Sequence, residues 1–227
     1  MNLYENNDSS IQNVDFNTVL TKTFFRMFLG LLASALTAFY TYKSGLYVQM
    51  IMGGYYSIFA IAEIVMVVIF SLAFRKLSPT MVTVLYFAYA FLNGATLAIV
   101  FEVFEISSVI YAFAGTAAFF GVLSYIGAKT QKDLSNWGSI LLTALIISII
   151  VSVINLLVGS TMLDLILDWA MIFLFAGLTI YDVNRIKALG EEGFCEDEKL
   201  YIYGAMELYL DFINIFLRIL SLFGKRK

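Results

Sequence analysis

Long apolar runs, separated by short polar connections, fill most of the chain. Seven of them approach the roughly 20 apolar residues that a membrane-spanning helix needs. They lie at approximately 24–42, 51–74, 81–101, 108–128, 138–158, 165–183 and 200–223. Because no linker divides these runs into two blocks, we predict one all-α, seven-helix transmembrane domain at 23–224. A polar N-terminal tail at 1–22 precedes it, and a basic tail at 225–227 follows it.

The composition supports a multispanning membrane protein. Of the 227 residues, 61% are hydrophobic and 14% are charged, whereas a soluble domain has about 45–50% and about 25%. The mean hydropathy is +0.86. There is no histidine, which excludes His-based nucleophiles and imidazole metal sites. The single cysteine, Cys195, lies among acidic residues in the 191–198 segment, where a reactive thiolate is disfavoured.

The positions of lysine and arginine predict the orientation in the membrane, because cytoplasmic connections carry an excess of them. With a cytoplasmic N-terminus, nine basic residues collect on the cytoplasmic side, and Lys43 alone lies in the opposite connections. The nine are Lys22, Arg26, Arg75, Lys76, Lys129, Lys132, Arg185, Lys187 and Lys199. We therefore predict that the N-terminus and the connections at 75–79, 129–135 and 184–199 are cytoplasmic.

The seventh stretch is more polar than a lipid-facing helix tolerates. Glu207, Asp211, Asn214 and Arg218 follow one another at spacings of four, three and four residues, which places them on one face of a helix. Such a stripe lines a water-filled pathway or joins packed helices. Two arrangements satisfy its polar groups: the other six helices surround it, or it enters the membrane and returns to the cytoplasmic side. The sequence does not choose between them.

Glu63 is a second charged residue inside an apolar run, near the middle of the second stretch. A charge at the centre of a spanning helix costs about 2.5–3.5 kcal/mol on insertion scales, so such residues are candidates for an ion pathway or for helix pairing. We predict that Glu63 faces the bundle and pairs with Arg218 of the seventh stretch. The alternative is a protonated carboxyl group that hydrogen-bonds to a neighbouring helix. Asp164 and Asp168, near the start of the sixth stretch, are expected at the outer membrane interface.

Two acids on consecutive stretches suggest how a histidine-free protein senses pH. Asp182 ends the sixth stretch and Asp211 lies within the seventh. Consecutive antiparallel helices bring such carboxylates close together, and a close pair shares a proton. Paired carboxylates are also hard oxygen ligands that suit calcium. Asp182 and Arg185 also form an ordinary i,i+3 pair at the end of a helix, so a structural role is the alternative.

Several segments together resemble the transmembrane Bax inhibitor motif family. The most specific is LYLDFINIFLRIL at 208–220, and the second is YDVNRIK at 181–187. Supporting segments are Asn93 to Leu97, Gly121 to Thr130 and Lys132 to Ser135. The resemblance covers about residues 24–224, in the order that the family has them.

This resemblance implies a fold and a function. Family members have seven helices with the last one central, and bacterial members resemble pH-sensitive calcium-leak proteins gated by two aspartates. Those aspartates match Asp182 and Asp211, which would also bind the calcium. The family's basic residue that contacts them in the closed state matches Arg75, or Lys76, and its second-helix glutamate matches Glu63. The segment between Asp182 and Asp211 is longer here, through the acidic residues 191–198.

The leading hypothesis is a passive, pH-regulated calcium leak, with no enzymatic activity and no cofactor. Three other classes compete with it. They are an intramembrane aspartyl protease, a partner-binding regulator of a membrane quality-control protease, and a proton-coupled cation antiporter. The protease is disfavoured because the Gly-x-Gly-Asp and Pro-Ala-Leu motifs are missing. Expected partners are calcium ions, the lipid bilayer and a further membrane protein; the net charge of −3 argues against nucleic acid. The expected location is the plasma (inner) membrane if the source is bacterial.

Overall fold

The computed structural model describes residues 16–191 and 197–227, and these ranges form an all-helical protein. The helices in these ranges are α1 (Phe16–Lys43), α2 (Leu46–Met52), α3 (Tyr55–Ala73), α4 (Pro79–Leu97), α5 (Ile99–Val103), α6 (Ile106–Lys129), α7 (Ser135–Val158), α8 (Thr161–Glu191) and α9 (Asp197–Phe223). The all-α class is confirmed. Most of the predicted N-terminal tail, Cys195 and most of the acidic segment around it lie outside the described residues.

Six helical segments in the described ranges are long and apolar enough to cross a membrane. They are Thr18–Lys43, Tyr55–Ala73, Pro79–Val103, Ile106–Lys129, Ser135–Val158 and Thr161–Glu191. The prediction of a multi-pass integral membrane protein is confirmed. α9, which carries the polar stripe, is not among the six.

Within the described residues the helical segments number nine, so the prediction of seven is wrong in its count. The second predicted stretch, 51–74, is divided into α2 and α3 by Gly53 and Gly54. Gly54 has a φ of 71°, a left-handed conformation that side chains with a Cβ rarely adopt. The third predicted stretch is likewise divided, at Ala98, into α4 and the single turn of α5.

The connection predicted at 184–199 is mostly helical. α8 continues two turns past the predicted end of the sixth stretch, to Glu191, and α9 begins at Asp197. Apolar residues explain this extension, since Ile186 on α8 and Leu200 on α9 are 1% and 3% exposed. The described parts of the longer segment between Asp182 and Asp211 therefore extend two helices that pack against each other.

One end of the bundle gathers the connections that were predicted to be cytoplasmic. The Lys199 ammonium donates to the Arg75 carbonyl at 3.3 Å, and the Asn184 amide donates to the Thr130 carbonyl at 2.9 Å. Near the same end, Arg26 of α1 forms an ion pair with Glu198 of α9. The basic residues of these connections are thus brought to a common end.

The opposite end is closed by contacts that we call the C-terminal clasp, between residues 225–227 and 103–105. The Lys225 ammonium lies 2.7 Å from the Glu105 carboxylate. The Glu105 N–H donates to the Lys225 carbonyl at 2.9 Å, and the Lys227 N–H donates to the Val103 carbonyl at 3.0 Å. α9 is therefore one unbroken helix that runs from the Arg75 end to the Glu105 end, without turning back.

α9 packs against α1, α4, α6 and α8. Its residues Leu208, Tyr209 and Ile215 are completely buried. α1 and α4 approach each other closely at Gly94, where an added Cβ would lie 2.5 Å from the Ser34 carbonyl oxygen. α3 packs mainly against α4, and α7 packs mainly against α8. α3 and α7 are therefore the least enclosed of the long helices.

Candidate functional site: an acidic cavity between α3, α7, α8 and α9

A cavity of about 870 Å³ lies between α3, α7, α8 and α9, and we call it the polar cavity. Six of the seven site residues predicted from the sequence line it, namely Glu63, Asp182, Glu207, Asp211, Asn214 and Arg218. The cavity follows α7 from Ser139 to Leu156, a rise of about 26 Å at 1.5 Å per residue. That length approaches the roughly 30 Å of a bilayer's hydrocarbon core. The prediction that the stripe of α9 lies on one face is confirmed.

Asp182 on α8 and Asp211 on α9 form a close carboxyl pair in this cavity. They are 5% and 3% exposed, and their carboxyl groups interact electrostatically with each other. Oδ2 of Asp211 is buried and has no hydrogen-bond partner among the described residues. α8 and α9 pack extensively against each other, which fixes the separation of the two carboxyl groups.

Glu207 and Arg185 extend this pair toward the Arg75 end. Glu207 lies one helical turn before Asp211, hydrogen-bonds with Tyr203, and interacts electrostatically with Arg185 and Asp182. The Arg185 guanidinium lies 5.7 Å from the centre of the Tyr203 ring. The sequence analysis paired Arg185 with Asp182 at a helix end but did not include Arg185 among the predicted site residues. Its signal was its position three residues after Asp182, which puts both side chains on the same face of α8.

Arg75 is the one predicted site residue outside the lining of the polar cavity. It lies in the turn after α3, with an exposed side chain. Its carbonyl accepts the hydrogen bond from Lys199 on α9. The basic residue that the structure puts beside Asp182 is Arg185. A contact of Arg75 with the aspartate pair in another state of the protein stays a prediction.

Glu63 does face the bundle, but its predicted partner is wrong. Its carboxylate accepts hydrogen bonds from the Asn93 amide at 3.0 Å and the Thr96 hydroxyl at 2.6 Å, both on α4. Neutral donors on the helix that packs against α3 satisfy this carboxylate, whereas Arg218 has another partner.

Arg218 pairs with Asp168 of α8, with 2.9 Å between Nη1 and Oδ1. The Ser221 hydroxyl donates to the other oxygen of Asp168 at 2.6 Å. Asp168 is only 6% exposed, so it is buried inside the bundle, and its depth at the outer membrane interface stays a prediction. α8 begins at Thr161, which puts Asp168 two turns inside the helix and against α9.

A hydrogen-bonded chain connects Glu63 to α9 through Asn93, which was not among the predicted site residues. Tyr209 donates to the Asn93 side-chain oxygen at 2.7 Å. The Tyr209 hydroxyl also lies 2.7 Å from the Ser34 hydroxyl on α1. Tyr209 precedes Asp211 by two residues, so this chain joins α1, α3 and α4 to the helix that carries the aspartate.

The polar cavity offers oxygen ligands rather than a preformed metal site. In the part of the chain that the structure describes, no group of three or more Asp, Glu, Cys or His side chains has the arrangement to hold a metal ion. Asp182 and Asp211 are the predicted metal residues, and two carboxylates leave most of the six to eight oxygen ligands of calcium to water. Such a pair suits an ion in transit more than a resident ion.

Comparison with known proteins identifies the family. A family model described as "Inhibitor of apoptosis-promoting Bax1" matches residues 16–227. The chain belongs to this family. The resemblance seen in its motifs is thereby confirmed, and the match to the Bax1 inhibitor family includes α9 and the C-terminal clasp.

Relatives in the Bax1 inhibitor family come from several bacteria. The inner membrane protein YbhL of Escherichia coli (strain K12) is 33% identical over 234 residues, covering 100% of both chains. An uncharacterized protein of Borreliella burgdorferi is 32% identical, covering 93% of both. An uncharacterized protein of Deinococcus radiodurans is 37% identical over 168 residues, covering 73% of both.

Proposed function

We propose that this membrane protein is a pH-regulated calcium leak and that calcium ions pass along the polar cavity. The observation that carries the proposal is that four carboxyl groups line one cavity, whose length is close to the thickness of a hydrocarbon core. The four belong to Glu63, Asp182, Glu207 and Asp211. Carboxylate oxygens replace part of the water shell of calcium. Intramembrane acids of this kind mark ion pathways.

The carboxyl pair of Asp182 and Asp211 is the proposed gate. When the pair holds a proton, it has less negative charge with which to attract a basic side chain or an ion. When the proton leaves, the added charge either holds a basic residue across the pathway or binds calcium. Arg185 lies next to this pair, and Arg75 is the residue that the family resemblance implies. The balance between the basic residue and calcium sets the leak.

The proposed architecture has seven membrane segments with α9 as the central polar one. Packing of α9 against four of the long helices supports this arrangement. The name of YbhL places that relative in an inner membrane, and we propose the same location for this chain. We further propose that the protein is not an enzyme and has no cofactor, with calcium as its transported ion.

Cysteine labelling tests the proposed orientation. On a Cys195→Ser background, single cysteines at residues 77 and 131 are expected to react with a membrane-impermeant reagent from the cytoplasmic side only. A cysteine at residue 104, beside the C-terminal clasp, is expected to react from the opposite side only. This follows from the distribution of basic residues, because nine lie toward the Arg75 end, against Lys43 and residues 225–227 at the other end. Cytoplasmic labelling of residue 104 would reject the orientation.

Calcium flux into liposomes tests the proposed function. The purified full-length protein, reconstituted in liposomes that contain a calcium indicator, is expected to admit calcium down its gradient at a rate that differs between pH 6 and pH 8. Protein-free liposomes supply the background rate. Flux that occurs only under an imposed proton gradient would indicate an antiporter instead. Absence of flux at both pH values would favour the regulator of a membrane protease.

A further inference from the structure

We propose that the polar cavity also binds amphipathic organic cations, which have one positive centre that carries apolar groups. The site is the cavity of the proposed calcium pathway, but the inference concerns binding and does not depend on whether calcium flows. Four features of the cavity carry it: the excess of acids, the apolar and aromatic walls, the access from the membrane, and an unpartnered carboxylate oxygen.

The charge in the cavity favours a cation. Four carboxyl groups line it, and the two basic side chains are Arg185 and Arg218. Arg218 forms its ion pair with Asp168, which is not among the lining residues. Among the lining residues, Arg185 is therefore the one basic side chain left to balance the charge of the four carboxyl groups. A monovalent cation reduces this imbalance, whereas an anion of the same size increases it.

The walls suit the apolar part of such a ligand. α3 contributes Ile64, Val67 and Val68, and α7 contributes a longer row of aliphatic side chains. Aromatic rings from Tyr89 on α4 and from Phe175 and Tyr181 on α8 also line the cavity. A cation within about 6 Å of an aromatic face is attracted by the ring's quadrupole. The volume of about 870 Å³ falls in the range of about 300–1,000 Å³ that holds small organic ligands.

The route into the cavity passes between α3 and α7. Ile64 on α3 is 66% exposed, and Leu142 and Val153 on α7 are 56% and 58% exposed, although all three line the cavity. Because the segments that contain them have the hydropathy of spanning helices, these surfaces face the interior of the bilayer. A ligand that partitions into the membrane reaches the acids by this route, and a strongly hydrated ion does not.

Asp211 supplies the polar end of the site. Its side chain is 3% exposed and lines the cavity, and its Oδ2 atom accepts no hydrogen bond from the described residues. A buried carboxylate oxygen without a partner is costly, and a cation in the cavity removes that cost. Glu207, one turn away on the same face of α9, adds a second carboxylate to the same end.

Equilibrium binding of tetraphenylphosphonium tests this inference. The full-length protein in phosphatidylcholine nanodiscs at pH 8 is expected to bind this cation saturably, after subtraction of the uptake by empty nanodiscs. Tetraphenylborate, an anion of nearly the same shape, is expected to show no saturable binding. Glu207→Gln, Asp211→Asn and Glu63→Gln each remove one carboxylate, and at least one of them is expected to weaken binding about tenfold. Glu102→Gln, at an exposed acid outside the cavity lining, is the matched control and is expected to bind like wild type.

The outcomes separate the two proposals. Saturable binding of the cation without calcium flux would reject the calcium leak and support the cation site. The proposed site would be overturned if uptake of tetraphenylphosphonium equals that of empty nanodiscs. It would also be overturned if tetraphenylborate binds as tightly as tetraphenylphosphonium. Affinity that stays unchanged in every folded acid variant would also overturn it. Size-exclusion chromatography identifies the folded variants, and the comparison of the cation with the anion on the wild-type protein tests the site without any variant.

Discussion

Asp211→Asn is expected to leave a folded protein whose calcium flux no longer differs between pH 6 and pH 8. The substitution keeps the shape of the side chain and removes its proton exchange. It leaves Asp182 without the acid with which it shares a site. Two unit charges about 4 Å apart interact by around 4 kcal/mol at an effective dielectric constant near 20, before desolvation costs. An energy of that size is ample to bias a gate with two states.

Asp182→Asn tests the other half of the pair. It is expected to raise the resting flux, because it removes the carboxylate that holds a basic side chain across the pathway. The measurement is the same liposome assay at both pH values. If both variants keep the wild-type rate and the wild-type pH profile, the gate lies elsewhere and the two aspartates are structural.

Asp133→Asn is the matched control for these variants. Asp133 is exposed in the turn before α7, outside the polar cavity. The Ser135 N–H donates to its carboxylate at 2.8 Å, and this hydrogen bond lowers the pKa of Asp133 below its ordinary value of 3.8. A depressed pKa keeps Asp133 ionised from pH 6 to pH 8. The Asp133→Asn variant is therefore expected to keep the wild-type pH dependence of the calcium flux.

Asp168→Ala is expected to lower the free energy of unfolding by about 3 kcal/mol, because removal of one partner of a buried ion pair leaves the other charge uncompensated. Arg218 would lose its carboxylate, and Ser221 would lose its acceptor. Because Arg218 keeps 32% of its side chain exposed, the lower end of the range for buried pairs applies. Denaturant unfolding in detergent micelles measures the change.

Two controls decide whether the ion pair causes this loss. Glu105→Ala removes the acid of the exposed Lys225 pair in the C-terminal clasp, and exposed pairs contribute about 0–1 kcal/mol. The double variant Asp168→Ala with Arg218→Met removes both charges and is expected to be more stable than Asp168→Ala alone. Equal decreases in the free energy of unfolding for Asp168→Ala and Glu105→Ala would contradict a special role of the Asp168–Arg218 ion pair. Strict additivity of the effects of Asp168→Ala and Arg218→Met in the double variant would also contradict it.

The sequence predicted the helices well because a bilayer requires long apolar runs with internally satisfied backbones. The stripe on α9 was also predictable, since spacings of four, three and four residues fix a face without any knowledge of neighbouring helices. The interruption at Gly53 and Gly54 escaped detection because apolar residues flank both glycines. Likewise, α8 was expected to end at 183, although Ile186 continues its buried face to the next helical turn.

The hydrogen-bond and ion-pair partners of side chains on different helices could not be predicted from the sequence in the same way. Glu63 was assigned to Arg218 because opposite charges attract, yet the alignment of α3 with α4 brings Asn93 and Thr96 to its carboxylate. Arg218 pairs with Asp168 because α8 packs against α9. Which polar groups meet depends on the axial offset between helices, and hydropathy carries no information on that offset.

Ion pairs and hydrogen bonds hold both ends of α9 to neighbouring segments, which limits the movements by which a gate on this helix opens. Glu198 and Lys199 hold it to α1 and to the turn after α3, and Lys225 and Lys227 hold it to the segment before α6. Together these contacts oppose movement of α9 along its own axis. For the proposed pathway we therefore expect widening by sideways movement of α3 and α7, the long helices that pack least against their neighbours, while α9 keeps its axial position.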